Sequence, residues 1–261
     1  MVNPFFEAST GSFCYIVANP ESRCCAIIDA PLGVGCGDTV VNTHTADAML
    51  DWIHAHEFVA RWILETHVHA DRPSAAGYLK SHLLCAKTAI GDGVPNLQGY
   101  DQLLGDGEKI CLGHTHGRVI ATPGHTPGCV SYQFDNAVFV GDTLFMPDTG
   151  TARCDFPGGS PILLYKSIEK LLSLPDCTRL YVCHDYPGDR RRNRCVTTVA
   201  EQKLANIHWR ATTCADSFAA LRSQRDRTLA PPRWQAISIP ANLQCKDIGE
   251  IQVLLTQTMN E

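Results

Sequence analysis

The chain has 261 residues, of which 44% are hydrophobic and 19% charged, and its formal net charge is −5. This is the composition of a globular protein, and it excludes global disorder. An acidic chain also disfavours non-specific binding to nucleic acid or to a membrane surface, because both require a positive field. The sequence has no apolar stretch near the roughly 20 residues of a membrane span.

The first half of the chain predicts strands and helices. Apolar runs at residues 12–18 and 24–30 predict two strands separated by a turn. Apolar residues spaced three and four apart over 45–56 predict an amphipathic helix, and residues 59–65 predict a strand that ends in a polar cluster. We expect Pro73 to begin a helix that runs to about residue 82, because proline is tolerated in a first turn.

In the second half, short strands alternate with longer helices. Strands are predicted at residues 108–112, 118–122, 130–134, 137–140 and 179–183, helices at 161–174, 196–208 and 215–225, and the tail from 229 is ambiguous. The strands thus form two groups, each followed by helices. Two packed sheets with helices outside accommodate this order, and a doubly wound sheet is the competing arrangement.

The sequence contains two HxH pairs in different contexts. His67 and His69 directly follow the buried strand at 59–65, where both imidazoles can turn toward one point. His114 and His116 lie between two glycines, in what is predicted to be an exposed hairpin turn. The first pair is therefore a candidate metal site, and the second serves as an internal control.

Three further polar clusters also follow predicted strands. His125 lies in a loop of prolines and glycines, which fix the backbone and allow close approach, so the position of its ring is well determined. Asp142 ends an apolar run, and His184 follows the strand at 179–183. Each cluster alone is weak, but four strand-end clusters rich in histidine and aspartate together indicate one metal site.

These motifs, HVHAD, PGHTPG, GDTLF and CHDY in this order, resemble the metallo-β-lactamase superfamily, and its glyoxalase II branch in particular. The resemblance implies an α/β (α+β) fold, a four-layer αββα sandwich. It forms a single domain over residues 1–261, with the tail, about 229–261, packed on it. In the dinuclear enzymes of the superfamily two metals lie at the sheet edge. By match to the motifs, the first would be held by His67, His69, His125 and Asp142, and the second by Asp71, residue 72, Asp142 and His184.

Position 72 departs from this pattern, because it holds Arg72 instead of histidine. Arginine stays protonated in proteins and cannot ligate a cation. A dinuclear zinc hydrolase would therefore lose one ligand and gain a positive charge in its pocket. We hypothesise that Arg72 occupies the vacant second-metal position as a fixed cation, paired with Asp71 or Asp185.

Further motifs are similar to those of the persulfide dioxygenases, or sulfur dioxygenases: GTARCDF, HDY and IPANLQC. This resemblance implies one non-haem Fe(II) per chain, held by His67, His125 and Asp142, with zinc as the alternative metal. Two histidines and one carboxylate form the facial triad of iron oxygenases. The remaining motif residues would support these ligands from outside or add a further one: His69, Asp71 and His184.

The resemblance also implies the reaction and the partners. Persulfide dioxygenases oxidise glutathione persulfide with O₂ to sulfite and glutathione, so the implied partners are O₂ and this or a related small persulfide. Arg153, Tyr186 and Cys245 would contact the substrate, and Arg153 would bind a glutathione carboxylate. A salt bridge with Asp155 is the alternative role of Arg153. No nucleic-acid or membrane partner is implied, and a homodimer is allowed.

Three functions stay open on the sequence alone. The first is the iron dioxygenase. The second is a zinc thioester hydrolase of the glyoxalase II (hydroxyacylglutathione hydrolase) kind, in which a zinc-bound water of lowered pKa attacks the thioester carbonyl. The third is a degenerate member that binds metal or a thiol ligand as a sensor or partner without catalysis, and Arg72 is the feature that favours it.

The cysteines bear on the compartment. There are 13, an odd number, and no two form a CxxC pair. A chain of this length can build its core without disulfides, so the thiols are predicted to be mostly reduced. Together with the lack of a basic and apolar leader in residues 1–10, this predicts a cytoplasmic protein.

Overall fold

The computed structural model describes residues 1–34, 40–188 and 191–258. Its strands in chain order are β1 (Val2–Glu7), β2 (Ser12–Asn19), β3 (Cys24–Ile28), β4 (Gly33–Val34), β5 (Val41–Asn42), β6 (Val59–Leu64), β7 (Lys87–Gly91), β8 (Gln102–Leu104), β9 (Lys109–Leu112), β10 (Thr115–Ala121), β11 (Val130–Phe134), β12 (Ala137–Phe139), β13 (Arg179–Tyr181) and β14 (Val196–Thr198). They form two six-stranded sheets, ordered β1-β2-β3-β6-β7-β8 and β14-β13-β12-β11-β10-β9, and the short pair β4-β5. The pairs β3-β6, β6-β7, β7-β8 and β12-β13 are parallel, and the other pairs are antiparallel.

Helices cover the outer face of each sheet. The described helices are α1 (His44–Ala55), α2 (Ala76–His82), α3 (Pro161–Leu172), α4 (Val199–Ala205), α5 (Ala215–Asp226), α6 (Gln235–Leu243) and α7 (Ile248–Thr258). One hydrophobic core joins the first sheet to α1, α2, α6 and α7, with Ile16 and Ile63 packed near Met49 and Ile237. Another joins the second sheet to α3, α4 and α5.

A third core lies between the two sheets. Tyr15, Ile28 and Leu64 of the first sheet share it with Tyr132 and Phe139 of the second. The layers are therefore helix, sheet, sheet and helix. The predicted αββα sandwich is confirmed, and the doubly wound alternative is wrong, because the strands form two facing sheets and not one.

Hydrogen bonds across the sandwich fix the edge where the polar clusters lie. The Phe13 amide donates to the Cys183 carbonyl oxygen (2.7 Å), and the Val130 amide donates to the Thr66 carbonyl oxygen (2.9 Å). The Tyr132 hydroxyl donates to the Glu65 carbonyl oxygen (2.7 Å). The loops that follow β6 and β13 are thereby held against strands of the opposite sheet.

Several predicted boundaries shift in the structure. The helix expected from Pro73 begins at Ala76, because Ser74 pairs with Pro31 in an isolated bridge. The helix expected at 196–208 begins as β14, whose valine and threonines favour a strand, and continues as α4. Of the control pair, His114 lies in an exposed turn between β9 and β10, whereas His116 is an exposed residue of β10 itself. Within the described residues, no helix is both long and apolar enough to span a membrane.

Candidate metal centre and active-site cavity

Three side chains from three separate loops meet at the sheet edge. His67 follows β6, His125 lies between β10 and β11, and Asp142 follows β12. The Nε2 atoms of His67 and His125 lie 3.9 Å and 3.7 Å from Asp142 Oδ2. All three residues are buried, and their possible ligand atoms lie within 4.8 Å of one another. The structure thus brings together the three residues proposed for a single metal.

Hydrogen bonds at the far nitrogen orient both imidazoles. Thr66 Oγ1 donates to Asp29 Oδ2 (2.8 Å) and so accepts from His67 Nδ1 (2.9 Å). His125 Nδ1 donates to the Arg153 carbonyl oxygen (2.7 Å). These contacts leave the Nε2 lone pairs directed at the carboxylate, which is the arrangement of metal-ligating histidines.

Two buried atoms test whether a cation fits here. Among the described residues, His67 Nε2 and Asp142 Oδ1 have no hydrogen-bond partner. Burial lowers the pKa of His67 well below its ordinary value, and the charges of neighbouring histidines and Arg72 act in the same direction, so the ring is neutral at neutral pH. Unpartnered buried acceptors are costly, and a divalent cation would satisfy both. The residues therefore fit a metal.

A second group of donors adjoins the first. His184 Nε2 lies 3.3 Å from Asp71 Oδ2 and 3.8 Å from Asp142 Oδ1, so Asp142 stands between the two groups. His184 Nδ1 donates to the Gly11 carbonyl oxygen (3.2 Å), which leaves Nε2 to face the carboxylates. The Cys183 sulfur also lies within 4.8 Å of the His184 and Asp142 ligand atoms.

His69 does not face the three-residue cluster. Its Nε2 lies 3.0 Å from Glu65 Oε2 and 3.2 Å from Asp29 Oδ1, and its Nδ1 is 2.8 Å from Arg72 Nη1. Both ring nitrogens are therefore engaged away from Asp142, although the His69 ring centroid is only 4.0 Å from that of His67. In this arrangement His69 supports the loop and is not placed as a fourth ligand.

Arg72 is fully buried beside the second donor group. Its Nη1 lies 3.7 Å from Asp71 Oδ1, and its Nη2 is 3.4 Å from the Cys183 sulfur. The alternative pairing with Asp185 is wrong, because both Asp185 oxygens accept from Arg191, at 2.5 Å and 2.8 Å.

A cavity of about 380 Å³ opens onto the metal-ligand candidates. Of the residues that the sequence predicts, it is lined by Asp71, His125, Asp142, Arg153, His184 and Tyr186. Tyr186 is half exposed and its ring stacks on that of His184, with centroids 5.6 Å apart. Most of the predicted metal and substrate residues thus share one cavity, and those that do not line it are His67, His69, Arg72 and Cys245.

Arg153 carries out the alternative role predicted for it. Its Nε and Nη2 each donate to an Asp155 carboxylate oxygen at 2.6 Å, and its Nη1 donates to the Ala230 carbonyl oxygen at 2.7 Å. The guanidinium lines the cavity, but its donors already have partners. A substrate carboxylate at this position would share it with Asp155.

Cys245 is placed away from the cavity, in correction of the predicted substrate contact. It packs against the core between the first sheet and its helices, and its carbonyl lies against Gly77. Asn242, in the same IPANLQC motif, instead contacts the loop that follows β6. Its Nδ2 donates to the carbonyl oxygens of His69 (2.8 Å) and Arg72 (2.9 Å).

The cavity is also lined by residues that the sequence reasoning missed. They are Phe145, Thr149, Thr151, Phe156, His208, Arg222 and Arg225. His208 Nδ1 accepts from the Thr151 amide (3.0 Å), and its Nε2 has no partner among the described residues. Burial, followed by the charges of Arg222 and Arg225, lowers the pKa of His208 to about 4. Phe145, Thr151 and Phe156 lie within the GDTLF and GTARCDF motifs, which indicated no role for them. The others lie singly on α5 and on the loops after α4 and β12, where no motif marks them.

Comparisons with known proteins give one family, two relatives and one solved structure. Residues 38–184 match the Metallo-beta-lactamase superfamily. The chain is 41% identical over 266 residues to "Glyoxylase B2" of Dictyostelium discoideum, covering 95% of this chain and 90% of that protein. It is 30% identical over 250 residues to "Persulfide dioxygenase ETHE1, mitochondrial" of Mus musculus, covering 94% and 88%. The crystal structure of ETHE1 from Myxococcus xanthus matches with a TM-score of 0.80 and 28% identity, covering 94% and 99%.

Proposed function

The chain belongs to the metallo-beta-lactamase superfamily, as its motifs predict, and from this premise we propose that it is a non-haem iron persulfide dioxygenase. Its reaction would convert glutathione persulfide, O₂ and water to glutathione and sulfite. The relatives at 41% and 30% identity carry names from two different branches, one a glyoxalase type and one a persulfide dioxygenase. The choice between them therefore depends on the site.

One observation carries the proposal. The possible ligand atoms of His67, His125 and Asp142 lie within 4.8 Å of one another, while the position of a second-metal ligand holds the buried Arg72. Hydrolysis by two metals needs both positions, whereas oxygenation of sulfur needs one metal with open positions. The donor set supports the one-metal reaction.

The chain's own residues would bind and orient the substrate. A ferrous ion held by His67, His125 and Asp142 would supply open coordination positions and redox chemistry. Phe145 and Phe156 form apolar walls around the ligand candidates, and the ring contacts of Phe145 fix Tyr186 beside His184. The Tyr186 hydroxyl is a donor that could hold a sulfur anion near the metal.

Arginines at the cavity would hold the carboxylates of the glutathione moiety. Arg225 lines the cavity and forms no ion pair with any described residue, whereas Arg153 is paired with Asp155. A free guanidinium gains more from a substrate carboxylate than one that already has a partner. We therefore assign Arg225 as the main carboxylate contact and Arg153 as a shared one.

A zinc thioester hydrolase is the second candidate. It is favoured by the 41% identity to a protein named "Glyoxylase B2" and by the second donor group of Asp71, Asp142 and His184. A single zinc with its bound water could attack a thioester carbonyl without Arg72 being changed.

Oxygen uptake tests the proposal. The protein loaded with Fe(II) is given glutathione persulfide in an oxygen-electrode cell, and sulfite is quantified in the same sample. We expect about one sulfite per O₂ consumed, and no uptake by the zinc-loaded protein. Uptake no faster than that of the Asp142→Ala variant would contradict the proposal.

The compartment is a further part of the proposal. The twelve cysteines among the described residues are all free thiols. Reduced thiols are typical of the cytoplasm. We place the reaction there.

A further inference from the structure

Arg72 stands at the position of a metal ligand, although arginine cannot ligate a cation. Its contacts indicate what it does instead. We infer that Arg72 sets the metal content of this site: it replaces a second metal ion and keeps His69 out of the coordination of the first. The inference rests on the metal at His67, His125 and Asp142 that the proposed function requires, but not on the reaction that the metal supports.

The guanidinium lies beside Asp71, one of the donors that a second cation would use. Its Nη1 is 3.7 Å from Asp71 Oδ1 and its Nη2 is 3.4 Å from the Cys183 sulfur. Arg72 is 0% exposed, so water screens its charge very little. A divalent ion between Asp71 and His184 would face this fixed positive charge at short range, and the repulsion disfavours its binding.

The same guanidinium fixes the direction of His69. Because Arg72 Nη1 donates to His69 Nδ1 (2.8 Å), the ring proton lies on Nε2, which donates to Asp29 Oδ1 (3.2 Å) and lies 3.0 Å from Glu65 Oε2. Arg72 Nη2 also donates to the Asp29 carbonyl oxygen (3.0 Å). Both nitrogens of His69 are thereby occupied, and the first metal is left with three protein ligands.

Asn242 holds His69 and Arg72 in these positions. Its side chain bonds the carbonyl oxygens of both His69 and Arg72, so the loop that carries them is tied to α6. The buried carboxylates of Asp29 and Glu65 supply the negative charge that a buried arginine needs. Both terminal nitrogens of Arg72 are thus held, Nη1 by His69 and Nη2 by the Asp29 carbonyl oxygen and the Cys183 sulfur, while its Nε has no partner among the described residues.

Zinc titration of the metal-free protein tests the inference without any assay of activity. Bound zinc is measured by elemental analysis after gel filtration, in the parent protein and in three variants. We expect one zinc per chain in the parent, one in Arg72→Lys, which retains the charge, and two in Arg72→His, which restores a ligand. Adding Asp71→Asn to Arg72→His should return the count to one.

A separate variant tests the role of His69 alone. His69→Gln can still donate to the carboxylates, so we expect it to bind one zinc with an affinity within about threefold of the parent. Loss of zinc comparable to that in Asp142→Ala would show that His69 is a ligand and would overturn the inference. Two tightly bound zincs in the parent would also overturn it, as would a folded Arg72→His that binds only one.

These outcomes separate the inference from the proposed function. A parent protein that binds one zinc but consumes no O₂ in its iron form contradicts the dioxygenase and leaves the role of Arg72 intact. Should Arg72→His fail to fold, the counts in the parent, in Arg72→Lys and in His69→Gln still decide the matter.

Discussion

The histidines of the site have their tautomers determined by hydrogen bonds to single neighbouring residues. The Thr66 hydroxyl and the Arg153 carbonyl oxygen fix the tautomers of His67 and His125, and Arg72 does the same for His69 with the opposite result. Two histidines two positions apart in the sequence therefore have different roles.

Removal of the carboxylate ligand should empty the site. Asp142 contributes the only carboxylate of the proposed triad and faces both histidines. We expect Asp142→Ala to lose most of its bound iron and nearly all O₂ uptake. Metal analysis and the oxygen electrode measure both. Asp51→Ala, an exposed acid on α1, is the control and should retain both; full iron content in Asp142→Ala would contradict the assignment.

Arg225, which lines the cavity, should control substrate affinity. A hydrogen bond to a charged group contributes about 1.5–3 kcal/mol, or roughly 10–150-fold. We expect Arg225→Ala to raise KM for glutathione persulfide by at least about tenfold with little change in kcat, the pattern of lost uniform binding. Arg227→Ala removes the same charge from outside the cavity and should leave KM within about twofold. Equal effects of the two variants would refute a specific contact.

His208 should make the protein less stable in mild acid. It stays neutral in the folded protein down to about pH 4, because burial, Arg222 and Arg225 disfavour its charge, whereas an ordinary histidine takes up a proton near pH 6.5. The unfolded state therefore binds more protons between these values, and stability is lost as the pH falls through this window, by at most about 3 kcal/mol.

His208→Asn tests this contribution. Asparagine can still accept from the Thr151 amide but does not titrate. We expect the fall in the free energy of unfolding between pH 7 and pH 4.5 to be smaller in the variant, as measured by urea denaturation. An identical fall in the two proteins would assign the acid sensitivity to other groups.

At the scale of elements, strand-end loops carry the site and α6 stabilises one of them. Asn242 accepts from the Ser74 amide (2.8 Å) and donates to the carbonyl oxygens of His69 and Arg72. Its side chain is 2% exposed, so no water replaces these bonds when the amide is removed. A helix on the outer layer thereby determines the geometry of the loop that follows β6.

Truncation of Asn242 should be costly for the fold. Each buried polar group left unsatisfied costs about 1–3 kcal/mol. We expect Asn242→Ala to lower the free energy of unfolding by about 3 kcal/mol or more in urea denaturation. Gln244→Ala, an exposed residue at the end of the same helix, should stay within about 0.5 kcal/mol. Comparable losses in the two variants would remove the special role of Asn242.

The sequence predicts the helices and strands whose hydrophobic periodicity is strong. It misses those whose periodicity is interrupted by proline or weakened by partial exposure. The apolar run that forms β11 and the amphipathic pattern of α3 are recovered closely. β1 is missed because it contains Pro4 and is only partly buried as an edge strand, and α6 is missed because Pro240 interrupts its helical pattern.

For the whole molecule, the sequence motifs predict the sandwich and the assembly of His67, His125 and Asp142. The surroundings of His208 in the cavity and the direction of the His69 ring are not predictable from the motifs. Both depend on contacts between residues far apart in the sequence, such as His208 with Thr151 and His69 with Asp29. Motif spacing describes the ligands, whereas their partners emerge only when the two sheets are packed together.

One comparison tests the central claim, that a single metal at this site oxygenates a persulfide. The same metal-free preparation is loaded with one equivalent of Fe(II) or of Zn(II), and each form is assayed with glutathione persulfide and with a hydroxyacyl thioester of glutathione. The account predicts O₂ uptake and sulfite formation by the iron form alone, and little thioester hydrolysis by either. Rapid thioester hydrolysis by the zinc form, with an iron form that leaves O₂ unused, would contradict it.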